Sequence, residues 1–521
     1  MPKRKSVHSL QELCLENVAS NLDHIWIKEH TDCLAGFLVQ ELLQFLGNRK
    51  LLTSDLLCSL LVPQLKTLDW SICPELVTRA VVTTVPCKNL SSLILQDCNQ
   101  IPADALLDLV KALPHLIKLN LSATQCNTQV LSAATSSCRQ LRELDISGCQ
   151  RLSPYSLLHL AYNPSTGSFC CSGLQILVME PLNPRIDAEE LVWALVFLLL
   201  ALPSLKCLVH EQVTEAVCLI YHQLFDGVQV PPVFPSLVAL ARRRMPAFPG
   251  KGPPGFVLAL KSIHDLSESS WPMVRAVCPY VRNVSVTLTG MPPLGESFLS
   301  ACHIVHLTVG CREERDMREV LFLTQSLQAQ LECLSVSNFA FEDEWTFHVL
   351  LSHCVNLQKL TIRFLSPVTS RYGRRTNVEA LKWDFALPPH PFPYLCDVCL
   401  VHSDIENHLP SQHARLLKDC LESLLRHSPC LEILELVSLP FPLDEVFEKL
   451  LRPPGRALAQ LRRLSLVEDD VSLHAIHLLL SSENQLSYLN VDTCPKIDER
   501  EYQELCQRVG KEGLDVEILW A

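Results

Sequence analysis

The sequence predicts an α/β solenoid, in which short parallel strands alternate with helices along the chain. Three observations predict it: a short leucine pattern recurs, apolar residues at helical spacing follow the copies, and the composition is aliphatic. Of the 521 residues, 48% are hydrophobic but only 6% are aromatic, and glycine is scarce at 16. This composition suits a repetitive core of leucine, valine, isoleucine and alanine, and it is unlike that of a disordered chain.

The recurring pattern is L-x-x-L-x-L-x-x-C. Its clear copies begin at Leu65, Leu90, Leu141 and Leu486. Each ends on a cysteine, and a further copy at Leu116 lacks only that cysteine. Weaker copies begin near Leu174, Leu205, Leu237, Val281, Ile304, Leu331, Leu357, Leu395, Leu431 and Leu461. Together they predict about fifteen strand–helix units.

Within a copy, the alternating leucines predict a strand with one buried face. The apolar residues after Cys98 recur at helical spacing and predict a helix. The pattern resembles the cysteine-containing leucine-rich repeats of F-box and related ubiquitin-ligase receptors. That resemblance implies a leucine-rich repeat horseshoe with strands on its concave face. The residues before the first repeat do not follow the pattern and are predicted to form a small helical N-terminal box.

The first predicted helix begins at a capping box, Ser9-Leu-Gln-Glu12, and runs to about Asn21. Leu10, Cys14 and Val18 are spaced at i, i+4 and i+8 and therefore form one stripe. The form Ser-Leu-x-x-x-Cys-x-x-x-Val resembles the BC-box, the helix by which ubiquitin-ligase receptors bind Elongin C. The resemblance implies that Leu10, Cys14 and Val18 contact Elongin C, which would bring Elongin B.

A second segment, Phe37 to Leu46, is similar to the cullin-2 box of the Zyg-eleven and Zer receptors. The resemblance implies contact with a Cullin-2-type cullin through Leu38, Val39 and Leu42, although this sequence has Val39 where that family has proline. The resemblance to the Zyg-eleven and Zer receptors covers the box and the repeats. It does not cover the armadillo-type repeats of that family. The alternative interpretation is a leucine-rich repeat scaffold whose first helix only caps the array.

The residues that flank the central leucine of each clear copy are predicted to face the concave side and to bind a substrate protein. They are mixed in character, which suits a protein or a peptide. The candidates are Thr67, Asp69, Lys118, Asn120, Glu143 and Asp145.

The predicted organisation is a helical box over residues 1–62 and repeats over 63–521, with insertions near 241–280 and 365–394. Both insertions are rich in proline and carry positive charge. An F-box-like receptor is a further alternative, but the box lacks that family's Leu-Pro start.

The sequence contains no phosphate-binding glycine loop, no H-E-x-x-H and no G-x-S-x-G, so we expect a non-catalytic receptor subunit without a cofactor. Cys396, Cys399 and His402 lack a second ligand pair at zinc-finger spacing, so no metal is expected.

The net charge of −12 disfavours nucleic-acid binding. The apolar run Leu191 to Leu202 is too short to span a bilayer.

The 24 cysteines, without a secretory signal, predict reduced thiols and a cytoplasmic protein. The basic opening Met-Pro-Lys-Arg-Lys leaves nuclear entry open as an alternative.

Overall fold

The structure, a computed structural model, describes residues 2, 10–21, 35–83, 85–180, 187–225, 230–244, 256–267, 269–288, 303–340, 346–365, 391–403, 411–452 and 457–520. The chain divides into two compact units, one of Ser9–Val281 and one of Met1–His8 with Arg282–Ala521. Both are built from parallel strands and helices, so the chain has an α/β repeat fold.

In the amino-terminal unit, six strands form a parallel sheet in chain order. They are Thr67–Asp69, Ser92–Ile94, Lys118–Asn120, Glu143–Asp145, Ile176–Val178 and Cys207–Val209. A further strand is Ser262–Leu266, and Tyr162–Asn163 pairs antiparallel with Ser168–Phe169. The α-helices are Leu10–Ser20, Gly36–Asn48, Ser54–Leu60, Arg79–Thr83, Ala103–Ala112, Thr128–Ser137, Pro154–Leu158, Ala188–Ala201, Val213–His222, Leu237–Arg244 and Trp271–Val277, with a 3-10 turn at Pro74–Leu76.

The carboxyl-terminal unit continues the same alternation, and each strand is paired parallel with the next in the chain. Its strands are longer than those of the first sheet except for the last two, which have three residues each. The strands of this unit are Asn283–Leu288, His306–Asp316, Cys333–Ala340, Lys359–Leu365, Asp397–His402, Ile433–Val437, Arg463–Val467, Tyr488–Asn490 and Glu517–Leu519. The helices are Arg318–Leu327, Thr346–His353, Ser411–Arg426, Asp444–Leu451, Leu473–Ser481 and Glu499–Glu512, with a 3-10 turn at Gln328–Gln330.

The central leucines of the clear copies stack as predicted. Leu68, Leu93, Leu119 and Leu144 are register partners in successive strands, and all four are buried. Full burial of a leucine side chain stabilises the fold by roughly 1.5–3 kcal/mol. The leucine ladder is therefore confirmed.

The cysteine of the pattern links each repeat to the one before it. The Cys149 thiol donates to the carbonyl oxygen of Leu121 over 3.1 Å. The Cys494 thiol donates in the same way to the carbonyl oxygen of Leu466 over 3.2 Å. Desolvation raises the pKa of Cys494 to about 11. A protonated thiol can donate to a backbone carbonyl, so the position favours a small donor.

The prediction of a repeat strand that begins near Leu237 is wrong. Leu237–Arg244 is a helix, and Leu237, Leu240 and Ala241 are its buried residues. These positions are spaced at i, i+3 and i+4, which is the spacing of one helix face. Of the insertion predicted near 365–394, residues 366–390 lie outside the described residues.

Candidate protein-binding surfaces

The first helix, Leu10–Ser20, presents part of its apolar surface to solvent. Leu13 is 41% exposed, Cys14 is exposed and Val18 is half-buried. Glu16 on the same helix forms an ion pair with Arg49, with 3.1 Å between Oε1 and Nη2. The helix is thus tethered at Glu16 while Leu13 and Cys14 remain accessible. The predicted capping residue Ser9, and the side chain of Leu10, lie outside the described residues.

The second helix, Gly36–Asn48, buries one face and exposes the other. Its buried residues Val39, Leu42, Leu43 and Leu46 are spaced as a single helical stripe. Of the three residues predicted to contact a cullin, Val39 and Leu42 are buried in the chain itself. Leu38 is 37% exposed, and its neighbour Phe37 is 64% exposed.

The start of the second helix lies against the backbone of the first repeat. A Cβ atom added at Gly36 would be 2.4 Å from the carbonyl oxygen of Gln64. Only glycine permits so close an approach without displacement. The second helix therefore covers the end of the repeats, and this local packing accounts for its buried stripe.

The six candidate substrate residues form two rows on the first sheet. Thr67, Lys118 and Glu143 occupy one register position, and Asp69, Asn120 and Asp145 occupy another. All six are half-buried or exposed, whereas the leucine between each pair is buried. The structure therefore brings the six candidates together on one sheet face.

Neighbouring strands are linked across this face. Lys118 Nζ lies 3.3 Å from Glu143 Oε2, and Asn120 Nδ2 donates to Asp145 Oδ2 over 3.3 Å. Ion pairs this exposed contribute little stability. A binding partner can therefore displace the Lys118–Glu143 pair at low cost.

The acidic and amide side chains also shape the turn that follows each strand. Asp145 Oδ1 accepts from the backbone N–H of Ser147 at 2.9 Å, and Asn120 Oδ1 accepts from that of Ser122 at 2.8 Å. Such bonds from an Asp or Asn side chain to the second residue along stabilise turns. Changes at these positions will therefore affect local structure as well as binding.

The same face continues over two strands that sequence reasoning did not select. The residues at the two row positions there are Ile176, Val178, Cys207 and Val209, all half-buried. Applying the register of the clear copies to the weaker copies at Leu174 and Leu205 would have identified them. The candidate face is thus polar at one end and apolar at the other.

The potential metal ligands of the sequence have other partners. Cys396 Sγ donates to the carbonyl oxygen of Gln358 at 3.2 Å, and the ring of the buried His402 lies 5.2 Å from that of Phe364. Desolvation is the main reason that the pKa of Cys399 is raised to about 12. Across the described ranges, no group of three or more His, Cys, Asp or Glu residues is arranged to hold a metal ion.

No helix within the part of the chain that the structure describes combines the length and the apolar character needed to cross a bilayer.

Comparison with known proteins gives matches in structure alone. No protein-family model matches the chain, and no curated protein matches it in sequence. Among solved structures, the Rad7 and Elc1 complex in yeast matches with a TM-score of 0.37 and 12% identity, over 95% of this chain and 96% of that chain.

Two further solved structures also match. The TLR13–ssRNA13 complex has a TM-score of 0.31 and 15% identity, over 84% of this chain and 54% of that one. The Toll–Spatzle complex of Drosophila has a TM-score of 0.25 and 14% identity, over 80% and 48%. All three TM-scores are below 0.5.

Proposed function

We propose that this chain is the substrate-recognition subunit of an Elongin-BC, cullin-based ubiquitin ligase. The observation that carries the proposal is the exposure of Leu13 and Cys14 on the first helix. Cys14 is also the middle residue of the BC-box-like set Leu10, Cys14 and Val18. A helix that exposes apolar residues to solvent is suited to lie in a hydrophobic groove of a partner. Elongin C is the partner that the resemblance to the BC-box implies.

The packing of the second helix supports this assignment of roles. A solenoid needs a cap over its first repeat. The buried stripe of Gly36–Asn48 and the contact of Gly36 with Gln64 serve that purpose. The exposed side of the first helix is therefore free for a partner.

Cullin contact, in this proposal, is made by the exposed side of the second helix. Leu38 and Phe37 supply its apolar surface, and Val39 and Leu42 hold the helix on the repeats from within. The resemblance to the cullin-2 box favours a Cullin-2-type cullin. Adjacent placement of both boxes would let one end of the chain bind Elongin C and the cullin together.

The leucine-rich repeats, in this proposal, form a solenoid. A target protein binds to the sheet face that carries the six candidate substrate residues. The chain supplies no catalytic residue and positions the target for a ubiquitin-transfer step performed by other subunits. Such a receptor would act in the cytoplasm or, with its basic opening, in the nucleus.

Co-expression of the full chain with Elongins B and C tests the proposal. We expect the three proteins to co-elute in size-exclusion chromatography, and Leu10→Asp with Cys14→Asp to abolish co-elution while the melting temperature is unchanged. Leu224→Asp with Cys430→Asp is the matched control, because it changes the same residue types at exposed positions elsewhere. Absence of a complex with the unaltered chain would sink the proposal.

The second candidate is a leucine-rich repeat adaptor with no ligase role. The Glu16–Arg49 ion pair favours it, because it ties the first helix to the helix that caps the repeats. In that case the same double substitution lowers the melting temperature, and the unaltered chain binds no Elongin.

A further inference from the structure

The face of the first sheet that carries the six candidate residues ends in an apolar surface bordered by carboxylates. Ile176 and Val178 on one strand are register partners of Cys207 and Val209 on the next. All four are half-buried, so they leave an apolar surface open to solvent. We call these four residues, with the carboxylates of Asp145, Glu180 and Glu211, the acidic–apolar corner.

The carboxylates lie along one edge of this apolar surface. Asp145 is the register partner of Val178, and Glu180 and Glu211 each follow the end of one of the two apolar strands. Glu180 and Glu211 are exposed, and both act electrostatically on the same histidine, His210. The three carboxylates therefore border neighbouring strands.

No lysine or arginine in the described part of the chain forms an ion pair with any of these three carboxylates. His210 is buried, and desolvation lowers the pKa of its imidazole although Glu180 and Glu211 act to raise it. Its Nδ1 accepts from the backbone N–H of Gln212 at 3.1 Å, which requires an unprotonated nitrogen. In the described residues directly after the six strands, neither lysine nor arginine occurs.

The lysines on the described strands of this sheet and directly before them lie at the opposite edge or are already paired. Lys206 precedes its strand and donates to Gln175 Oε1 at 2.9 Å, and Lys118 is paired with Glu143. The corner is thus polarised, with carboxylates at the carboxyl ends of the strands and an apolar floor beside them.

We infer that the acidic–apolar corner binds a segment of a partner protein in which a lysine or arginine stands beside aliphatic side chains. The aliphatic side chains would cover Ile176, Val178 and Val209, and the cation would lie among Asp145, Glu180 and Glu211. Charge complementarity of this kind selects the partner and fixes its orientation, while the apolar contact holds it. The inference rests on the proposed function in that it names the substrate class of the receptor's sheet face.

Panning of a phage-displayed library of random short peptides on the purified full chain tests the inference. We expect enrichment of peptides in which arginine or lysine neighbours leucine, isoleucine or valine. Enrichment of peptides without a basic residue, or no enrichment, would overturn the inference.

A set of neutralised variants then locates the site. The variant Asp145→Asn, Glu180→Gln, Glu211→Gln keeps side-chain size and removes three charges. It should weaken binding of an enriched synthetic peptide by about tenfold. The matched control is Asp108→Asn, Glu190→Gln, Glu215→Gln, which removes three exposed charges from helices of the same unit and should leave affinity unchanged.

Equal weakening by both triple variants would overturn the inference, because the peptide would then respond to net charge alone. The panning uses the chain without Elongins, so its outcome is independent of whether a ligase assembles. Failure of Elongin binding with success of the panning would refute the proposed function alone, and the reverse result would refute this inference alone.

Discussion

Asp469 Oδ1 accepts a hydrogen bond from the backbone N–H of Leu439, with 2.8 Å between the two atoms. Asp469 is fully buried, and its Oδ2 is buried without a hydrogen-bond partner in the described residues. In the copy that begins at Leu461, Asp469 stands at the position that Cys494 occupies in the next copy. A carboxyl group thus replaces a thiol at the link between repeats.

This replacement predicts a pH-dependent stability. Desolvation, with smaller contributions from Glu468 and Asp470, raises the pKa of Asp469 from 3.8 to about 7, although the Leu439 hydrogen bond lowers it. The folded state therefore holds the proton more tightly than the unfolded state. Stability from this group is complete below the unfolded pKa, falls as pH rises towards the folded pKa, and is level above it.

Asp469→Asn should remove that dependence, because asparagine stays neutral. Raising the pH from about 4 to about 7 lowers the unfolding free energy of the unaltered chain. The same change should lower that of the variant by on the order of 3 kcal/mol less. Urea unfolding across this range measures it. The exposed Asp515→Asn is the control, and parallel curves for Asp469→Asn and the unaltered chain would contradict the prediction.

The leucine ladder predicts a large cost of truncation at one central position. Leu119 is buried between its register partners Leu93 and Leu144, whereas Ile117 two residues earlier is exposed. Leu119→Ala should lower the unfolding free energy by ~2–5 kcal/mol through the cavity left behind. Ile117→Ala should change it by less than about 1 kcal/mol. Similar losses at both positions in denaturant unfolding would count against the ladder as the core.

Two of the glycines in described helices, Gly36 and Gly510, predict opposite effects of alanine. A Cβ at Gly36 would meet the backbone of Gln64, whereas a Cβ at Gly510 has nothing within 4 Å. Gly36→Ala should destabilise the chain by ~1–3 kcal/mol, because the second helix must shift off the first repeat. Gly510→Ala should stabilise it by about 0.5–1 kcal/mol through helix propensity. Thermal unfolding of both variants checks the contrast, and equal effects would show that Gly36 tolerates a side chain.

Charge reversal at Glu143 and Asp145 should weaken partner binding while the chain stays folded. Glu143→Lys removes an exposed ion pair with Lys118, and Asp145→Lys removes the acceptor for Ser147. These losses amount to about 1–2 kcal/mol of stability. Calorimetry would verify folding, and titration with a peptide selected on the chain would measure affinity. Unchanged affinity would move the binding site away from this face.

The parts of the fold that follow from local pattern were predictable from the sequence. Leu68, Leu93, Leu119 and Leu144 stack because a fixed spacing places each in the same register. The burial of Val39 and Leu42 was not predictable. Consecutive apolar residues from Phe37 to Val39 do not reveal which side of a helix contacts its own chain and which is left for a partner.

The sequence also leaves the structure undetermined where one pattern fits two kinds of element, or where burial depends on neighbouring repeats. Leu237 begins a copy-like stretch, yet its leucine and alanine spacing also fits the helix that forms. Asp469 occupies the cysteine position, which the sequence shows. Its burial and its unpartnered Oδ2 depend on the packing of Leu439 and the neighbouring repeats, which the pattern leaves undetermined.

Thiol alkylation provides a direct test of the first helix in the free chain. Cys14, Cys430 and Cys506 are exposed, whereas Cys98 and Cys149 are fully buried. Brief treatment of the native chain with N-ethylmaleimide should modify the three exposed thiols and leave the two buried ones, because reaction requires access to the thiolate. Burial also raises the pKa of Cys98 to about 12, which keeps that thiol protonated.

Addition of Elongins B and C should then protect Cys14 alone. The helix stripe would lie in a groove of Elongin C, while Cys430 and Cys506 stay accessible and serve as internal controls. Peptide mass spectrometry gives the modified fraction at each cysteine. Full reactivity of Cys14 within an isolated ternary complex would place Elongin C on another surface. A Cys14 that resists modification in the free chain would show that the stripe packs against its own repeats, as the adaptor alternative requires.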